Sequence, residues 1–167
     1  GTHETTAMMI ESLLTENTEG KAILDIGCGT GILSILSSMS GARKIVAVDN
    51  NEQAIRSIIK NAEINKIKNI KIISGDVSGL EKDKYDLILS NIHKNILIQN
   101  MTFCSESLNP CGRLLISGFF TEDIPEIMYH AQKAGLKEIR SSTKNNWAAS
   151  VYSKFKVSSM RNNVTAS

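Results

Sequence analysis

Apolar and polar positions recur with two different periods along this chain, and each change of period marks the edge of an element. Ala7, Ile10, Leu13 and Leu14 fall at helical spacing, which predicts a first helix over 4–16, ended before the polar run Asn17-Thr18-Glu19-Gly20. A strand is predicted at 21–26 and a helix at 31–40 that stops at Gly41; Lys44-Ile45-Val46-Ala47-Val48-Asp49 reads as a second short buried strand. Residues 51–65 carry a helix with Ala54, Ile58 and Ala62 on one face. Residues 70–73, 85–90 and 113–117 read as three more strands, with a helix at 95–107 between the last two. A helix at 122–134 and Gly135 follow. Two extended segments, 136–143 and 147–155, then lie too close together for a crossover helix, which predicts an antiparallel pair at the edge of the sheet.

Strands separated by helices imply βαβ crossovers, and these need a mostly parallel sheet covered by helices on both faces: an α/β fold. The chain shows no internal repeat, coiled coil or linker, and 167 residues suit one domain with a substantial core. Hydrophobic residues at 41% and charged residues at 22% are ordinary for a globular protein. No apolar run approaches the roughly 20 residues of a membrane span, and no secretory segment opens the chain. A formal net charge of +2 does not point to a nucleic-acid partner. Cys28, Cys104 and Cys111 are odd in number and lack metal-ligand spacing, so the expectation is reduced thiols in a cytoplasmic protein without a metal centre. The chain opens on Gly1-Thr2-His3 rather than Met and ends in a Ser- and Asn-rich tail, as expected of a fragment or single domain: a folded unit over 1–155 and a disordered tail over 156–167. In that tail Asn163-Val164-Thr165 is read as a chance match to a glycosylation acceptor.

The densest chemical signal is Ile23-Leu24-Asp25-Ile26-Gly27-Cys28-Gly29-Thr30-Gly31-Ile32, a buried-strand pattern fused to a glycine loop and then to a helix start. Such a loop offers backbone N–H groups to a ligand beyond the strand's carboxyl end. Gly27, Gly29 and Gly31 form GxGxG; the dinucleotide fingerprint needs a glycine where Ile32 stands, which argues against a nicotinamide or flavin site. Cys28 reads as a small side chain tolerated between glycines. Asp49 closes the second strand 20 residues after Gly29. A carboxylate there is placed to accept from two ribose hydroxyls, or alternatively to cap the next helix.

With Asp25 just before the loop, the segment resembles motif I of the class I S-adenosylmethionine-dependent methyltransferases. The resemblance implies a Rossmann-like sheet of seven strands whose last strand inserts antiparallel between the fifth and sixth, and S-adenosylmethionine as cofactor. On that pattern Asp25 touches the methionine ammonium or bonds to loop amides. Asp76, in Ser74-Gly75-Asp76-Val77, accepts from the adenine amino group or simply forms a turn. Leu89-Ser90-Asn91-Ile92-His93-Lys94-Asn95 ends the fourth strand, beside the position of the transferable methyl in that class. The Asn91 carbonyl can accept from an amine and aim its lone pair at the methyl carbon, a displacement in which positioning supplies much of the rate. His93 reads either as a base or as an exposed loop residue. The Asn-Pro-Pro-Tyr sequence of many adenine and glutamine-amide enzymes is absent.

Beyond the class, the chain resembles the catalytic domain of the ribosomal protein L-eleven methyltransferases. Gly1-Thr2-His3-Glu4-Thr5-Thr6 is similar to that family's Gly-Thr-Gly-x-His-x-Thr-Thr segment, Gly41-Ala42 with Val48-Asp49 to its second-strand region, Ser90-Asn91-Ile92 to its Asn-Ile site, and Asn146-Trp147 to its Trp-containing turn. The resemblance implies cofactor contacts at Thr6, Gly27, Asp49 and Asn91, with residues 1–6 folding over the methionine end. Thr6 by itself reads as a capping residue. It also implies methylation of lysine and amino-terminal amines of a ribosomal protein; family members carry an amino-terminal recognition domain, which is expected either to lie outside this chain or never to have been part of the parent protein. Two alternatives stand beside this reading: a related methyltransferase acting on RNA or a small molecule, and a catalytically silent cofactor-binding domain.

Overall fold

The computed structural model describes residues 3–155, so the tail expected over 156–167 lies outside the described residues. Seven strands form one sheet in the order β3-β2-β1-β4-β5-β7-β6. They are β1 (Ala22–Ile26), β2 (Lys44–Asp49), β3 (Ile70–Ser74), β4 (Tyr85–Asn91), β5 (Leu108–Phe120), β6 (Leu136–Lys144) and β7 (Trp147–Lys154). The first five are paired in parallel, and β7 runs antiparallel between β5 and β6, as the resemblance implied. The helices are α1 (His3–Leu14), α2 (Ile32–Met39), α3 (Glu52–Ile64), α4 (Lys94–Ser107) and α5 (Ile124–Lys133).

Burial on both faces explains why the strands read as continuous apolar runs rather than alternating ones. Neighbouring residues nevertheless go to opposite sides. Ile23, Ile45, Leu87, Leu89 and Leu115 pack with Met9 and Leu13 of α1 and Leu33 of α2. Leu24, Val46, Ile88, Leu114 and Ile116 pack with Leu97 and Met101 of α4 and Ile127 of α5. Burying each such side chain contributes about 1.5–3 kcal/mol. Chain order reverses about β1, with β2 and β3 on one side and β4 and β5 on the other, and this opens a crevice at the carboxyl ends of the central strands.

Two expectations need correction. The buried stripe of α1 is Thr5, Met8, Met9 and Leu13, while Leu14 is 63% exposed; the two methionines, not Leu14, turn the helix onto β5 and β7. The fifth strand runs from Leu108, before the expected 113: Leu108 pairs with Tyr85, residues 109–112 bulge out with Cys111 at φ +64°, and regular pairing resumes at Arg113 opposite Leu87. None of the described helices is long and apolar enough to cross a membrane. All three cysteines are free; burial pushes the Cys104 thiol up to about 12 and raises that of Cys28, so both are protonated at neutral pH.

Candidate functional site

The carboxyl ends of β1, β2, β4 and β5 surround a cavity of about 530 Å³, within the range of small-molecule sites. Gly27 and Gly29 from the loop, Asp49 from β2 and Asn91 from β4 all line it. An adjoining recess of about 90 Å³ shares Gly27 and Asp49, and adds Asp76, Val77 and Asn100. Four residues singled out in sequence thus meet at one cavity, with a fifth, Asp76, at its recess.

The loop donates less to that cavity than its glycines suggested. The Gly27 and Cys28 N–H groups donate to the Val48 carbonyl at 2.8 and 3.2 Å, the Gly31 N–H donates to the Cys28 carbonyl at 2.8 Å, and the Gly29 N–H donates to Asp49 Oδ2 at 2.9 Å. These four amides are engaged within the protein, so the loop supplies shape more than open donors. Its fit is close: a Cβ on Gly27 would stand 2.3 Å from Ile92 Cγ2. Gly31 begins α2 and does not line the cavity.

Asp49 is held from both sides. Oδ2 accepts from Gly29, and Oδ1 accepts from the Asn51 N–H at 2.9 Å. The cap of α3 is Asn51, whose side chain accepts from Gln53 and Ala54, so the capping alternative for Asp49 does not hold. Each carboxylate oxygen keeps a further lone pair for a ligand donor.

Asp25 lies behind the loop rather than at the cavity. It is buried and accepts from Ser34 Oγ at 2.6 Å and from the Ser34 backbone amide, which ties β1 to the first turn of α2. Burial pushes its carboxyl up to about 6 against the opposing pull of those two donors, and the Asp49 charge adds to the rise. Asp76 is exposed and accepts from the Ser78 amide at 2.8 Å and from its hydroxyl, which holds its carboxyl below the usual range; a turn role is thereby in place, beside the recess.

Thr6 sits inside α1, not at its cap, and its Oγ1 accepts from Asn91 Nδ2 at 3.4 Å. This links the first helix to the end of β4 across 85 positions of sequence. The other polar atom of that amide, Asn91 Oδ1, is buried without a hydrogen-bond partner. An orphaned acceptor of this kind costs about 1–3 kcal/mol, so it marks a place where a ligand donor would be strongly held. His93 lines the cavity but is exposed.

Reasoning from sequence missed Gly118 and Asn100, and it read Trp147 as part of the family's turn without placing it at the cavity. Gly118 lies near the carboxyl end of β5 with φ +94°, and a Cβ there would lie 2.4 Å from the Ile92 carbonyl oxygen. A glycine at the carboxyl end of a predicted parallel strand was the available signal. Trp147 lines the cavity from β7, which lies beside β5 as the resemblance implied.

Comparison with known proteins agrees with this geometry. A solved ribosomal protein L11 methylase from Lactobacillus delbrueckii subsp. bulgaricus superposes with a TM-score of 0.89 at 24% identity, covering 93% of this chain and 81% of that one, which establishes the fold. A ribosomal protein L11 methyltransferase from Bacteroides fragilis is 41% identical over 150 residues, covering 89% of this chain and 54% of that protein. Another, from Porphyromonas gingivalis, is 43% identical over 150 residues, covering 89% and 52% respectively. The chain therefore spans about half the length of the curated relatives it matches. The model of the family described as "Ribosomal protein L11 methyltransferase (PrmA)" matches residues 1–155, and with it the glycine loop, Asp49 and the Asn91 segment fall into one frame: the chain belongs to the ribosomal protein L11 methyltransferase family.

Proposed function

We propose that this chain binds S-adenosylmethionine at the carboxyl ends of β1, β2 and β4 and directs transfer of its methyl group to amine nitrogens of a ribosomal protein, lysine side chains and the amino terminus among them. The unpartnered Asn91 Oδ1 carries the reading, since a buried amide oxygen at a methyl-transfer cavity is suited to hold an N–H donor.

The residues present fit the cofactor. Asp49, fixed by Gly29 and Asn51, has lone pairs left for two ribose hydroxyls. The recess is walled by Ile26, Val48, Val77 and Ile96, a flat apolar slot for a base, with Asp76 at its edge as an acceptor. Thr6 and the start of α1 stand over the Asn91 end, where the methionine portion is placed by this reading. Asp25 acts on this account through Ser34 by bracing the loop.

When bound, the cofactor supplies an electrophilic methyl group on a sulfonium. Asn91 does the positioning: Oδ1 accepts an N–H of the neutral amine and turns its lone pair toward the methyl carbon, while Nδ2 stays anchored on Thr6. Asn91 and Thr6 would hold the amine while its nitrogen takes the methyl group that the cofactor would supply, and the proton released from nitrogen would pass to water.

The reading is tested by incubating the protein, and any longer natural form of it, with methyl-labelled cofactor and ribosomal proteins. Label in lysine and amino-terminal amines is expected. Label in RNA only, or tight cofactor binding with no transfer by either form, would overturn it.

A further inference from the structure

One wall of the cavity takes no part in the transfer described above. Trp147 lines it, and its ring stacks on Phe120 with centroids 4.3 Å apart and planes tilted by 30°. The pair is fixed by backbone: Phe120 is in register with Trp147 across β5 and β7. Next to it the Thr121 N–H donates to the Asn146 carbonyl at 3.0 Å, and Thr121 Oγ1 donates to Asn146 Oδ1 at 2.6 Å. Phe120 nonetheless remains 40% exposed. Trp147 therefore shares the cavity with Asn91 and Gly118, and the partly open Phe120 ring backs it from beside the cavity.

Asn91 has an intrinsic limit as a holder of the acceptor. Its oxygen needs an N–H on the reactive, neutral amine. A primary amine offers two and a secondary amine one, but a tertiary amine offers none. Each methyl added thus weakens the hold of Asn91 while making the amine bulkier, more apolar and, when protonated or quaternary, a more weakly hydrated cation. Aromatic faces favour such cations.

We infer that the Phe120–Trp147 pair is the binding surface for the alkylammonium end of the acceptor, and that it holds methylated amines better than unmethylated ones. The inference rests on the amine-transfer reading above and adds to it which residues bind the acceptor as its N–H groups are used up.

Trp147 is the single tryptophan of the chain, so its fluorescence reports on this wall directly. The protein is titrated at constant ionic strength with ammonium chloride, tetramethylammonium chloride, and lysine amide carrying zero to three ε-methyl groups. Affinity is expected to rise with methyl number, by about threefold to tenfold between the ends of each series. The exposed-site substitution Phe120→Leu is expected to bring that ratio close to one with an unchanged circular-dichroism spectrum. Equal affinity across the series, or an unchanged ratio in Phe120→Leu, overturns the inference. Methyl transfer to lysine amide is measured on the same samples: transfer with a flat binding series removes the aromatic surface alone, whereas the graded series without transfer removes only the amine-transfer reading.

Discussion

Replacing Asp25 by Asn should change how stability depends on pH, by an amount the structure sets. Asp25 is 1% exposed, and burial moves its carboxyl from the ordinary 3.8 to about 6, the Ser34 hydroxyl and amide holding the value lower than burial alone would. The folded state therefore keeps a proton that the unfolded chain loses near pH 4. Between about pH 4 and 6 the unfolded state binds fewer protons, so this group makes the protein less stable as pH rises, and the loss is complete above the folded value. The interval corresponds to about 3 kcal/mol, or about 6–12 °C in melting temperature for a domain of this size. Asn cannot titrate. Its amide can still accept from Ser34 Oγ, although its NH2 needs an acceptor, a cost that does not vary with pH. The readout is consequently the slope and not the level: the stability of Asp25→Asn minus that of the parent, from urea unfolding at pH 4 to 8, should climb by about 3 kcal/mol through pH 4–6 and then stay flat. All other titrating groups cancel in that difference. A difference that stays constant across the range would refute the buried, proton-retaining Asp25. Ser34→Ala, which removes the main donor, should move the climb to higher pH.

Asp49→Ala removes the acceptor of Gly29 as well as the proposed ribose contacts, and should weaken S-adenosylmethionine binding by about tenfold to a hundredfold in calorimetry; unchanged affinity would take Asp49 out of that role. Asn91→Ala should lower kcat on the order of a hundredfold with a much smaller change in cofactor Kd, and equal turnover would refute positioning by its carbonyl. Gly118→Ala places a Cβ against the Ile92 backbone at a φ of +94°, and should cost about 2–4 kcal/mol in unfolding free energy; a loss below about 0.5 kcal/mol would show that β4 and β5 separate easily there. Glu16 is 8% exposed and bridges Arg113 and Arg140 at 3.3 and 2.6 Å, so Glu16→Gln should loosen α1 from β5 and β6, seen as a fall in melting temperature of several degrees.

The sheet was legible because its signal is local. The central strands are short apolar runs that burial on both faces keeps continuous, while the polar edge strand β6 was placed by its closeness in sequence to β7. Errors arose where tertiary contacts overrode local preference. Leu14 has the helical spacing of a core residue, yet α1 meets β5 and β7 through Met8, Met9 and Leu13, flexible or bulky side chains that fill the groove. The fifth strand was read from Arg113, where regular pairing resumes; its extension to Leu108 rests on the pairing with Tyr85 across a bulge at 109–112, a tertiary contact.

The site divides along the same line. Asp49 and the glycines were readable because strand, loop and helix follow one another in sequence, so their spacing is itself geometry. The state of their hydrogen bonds was not, since the partners of Gly27 and Gly29 come from β2, about twenty residues on. Phe120 and Trp147 were harder to read as a pair: the resemblance placed the last strand beside the fifth, but the register that opposes these two rings across 26 intervening residues has no local mark. Gly118 joins the two kinds of information. Its missing side chain is a local fact, but what it admits is the backbone of Ile92, the residue after Asn91. The close approach of β5 to the end of β4 sets where the Asn91 amide stands, and two residues later β5 carries Phe120, on which the cavity-lining Trp147 of β7 rests. Positioning of the amine and recognition of its alkyl groups are thereby coupled through one strand end. A substitution that shifts β5 at Gly118 should disturb both, whereas Phe120→Leu should disturb recognition alone.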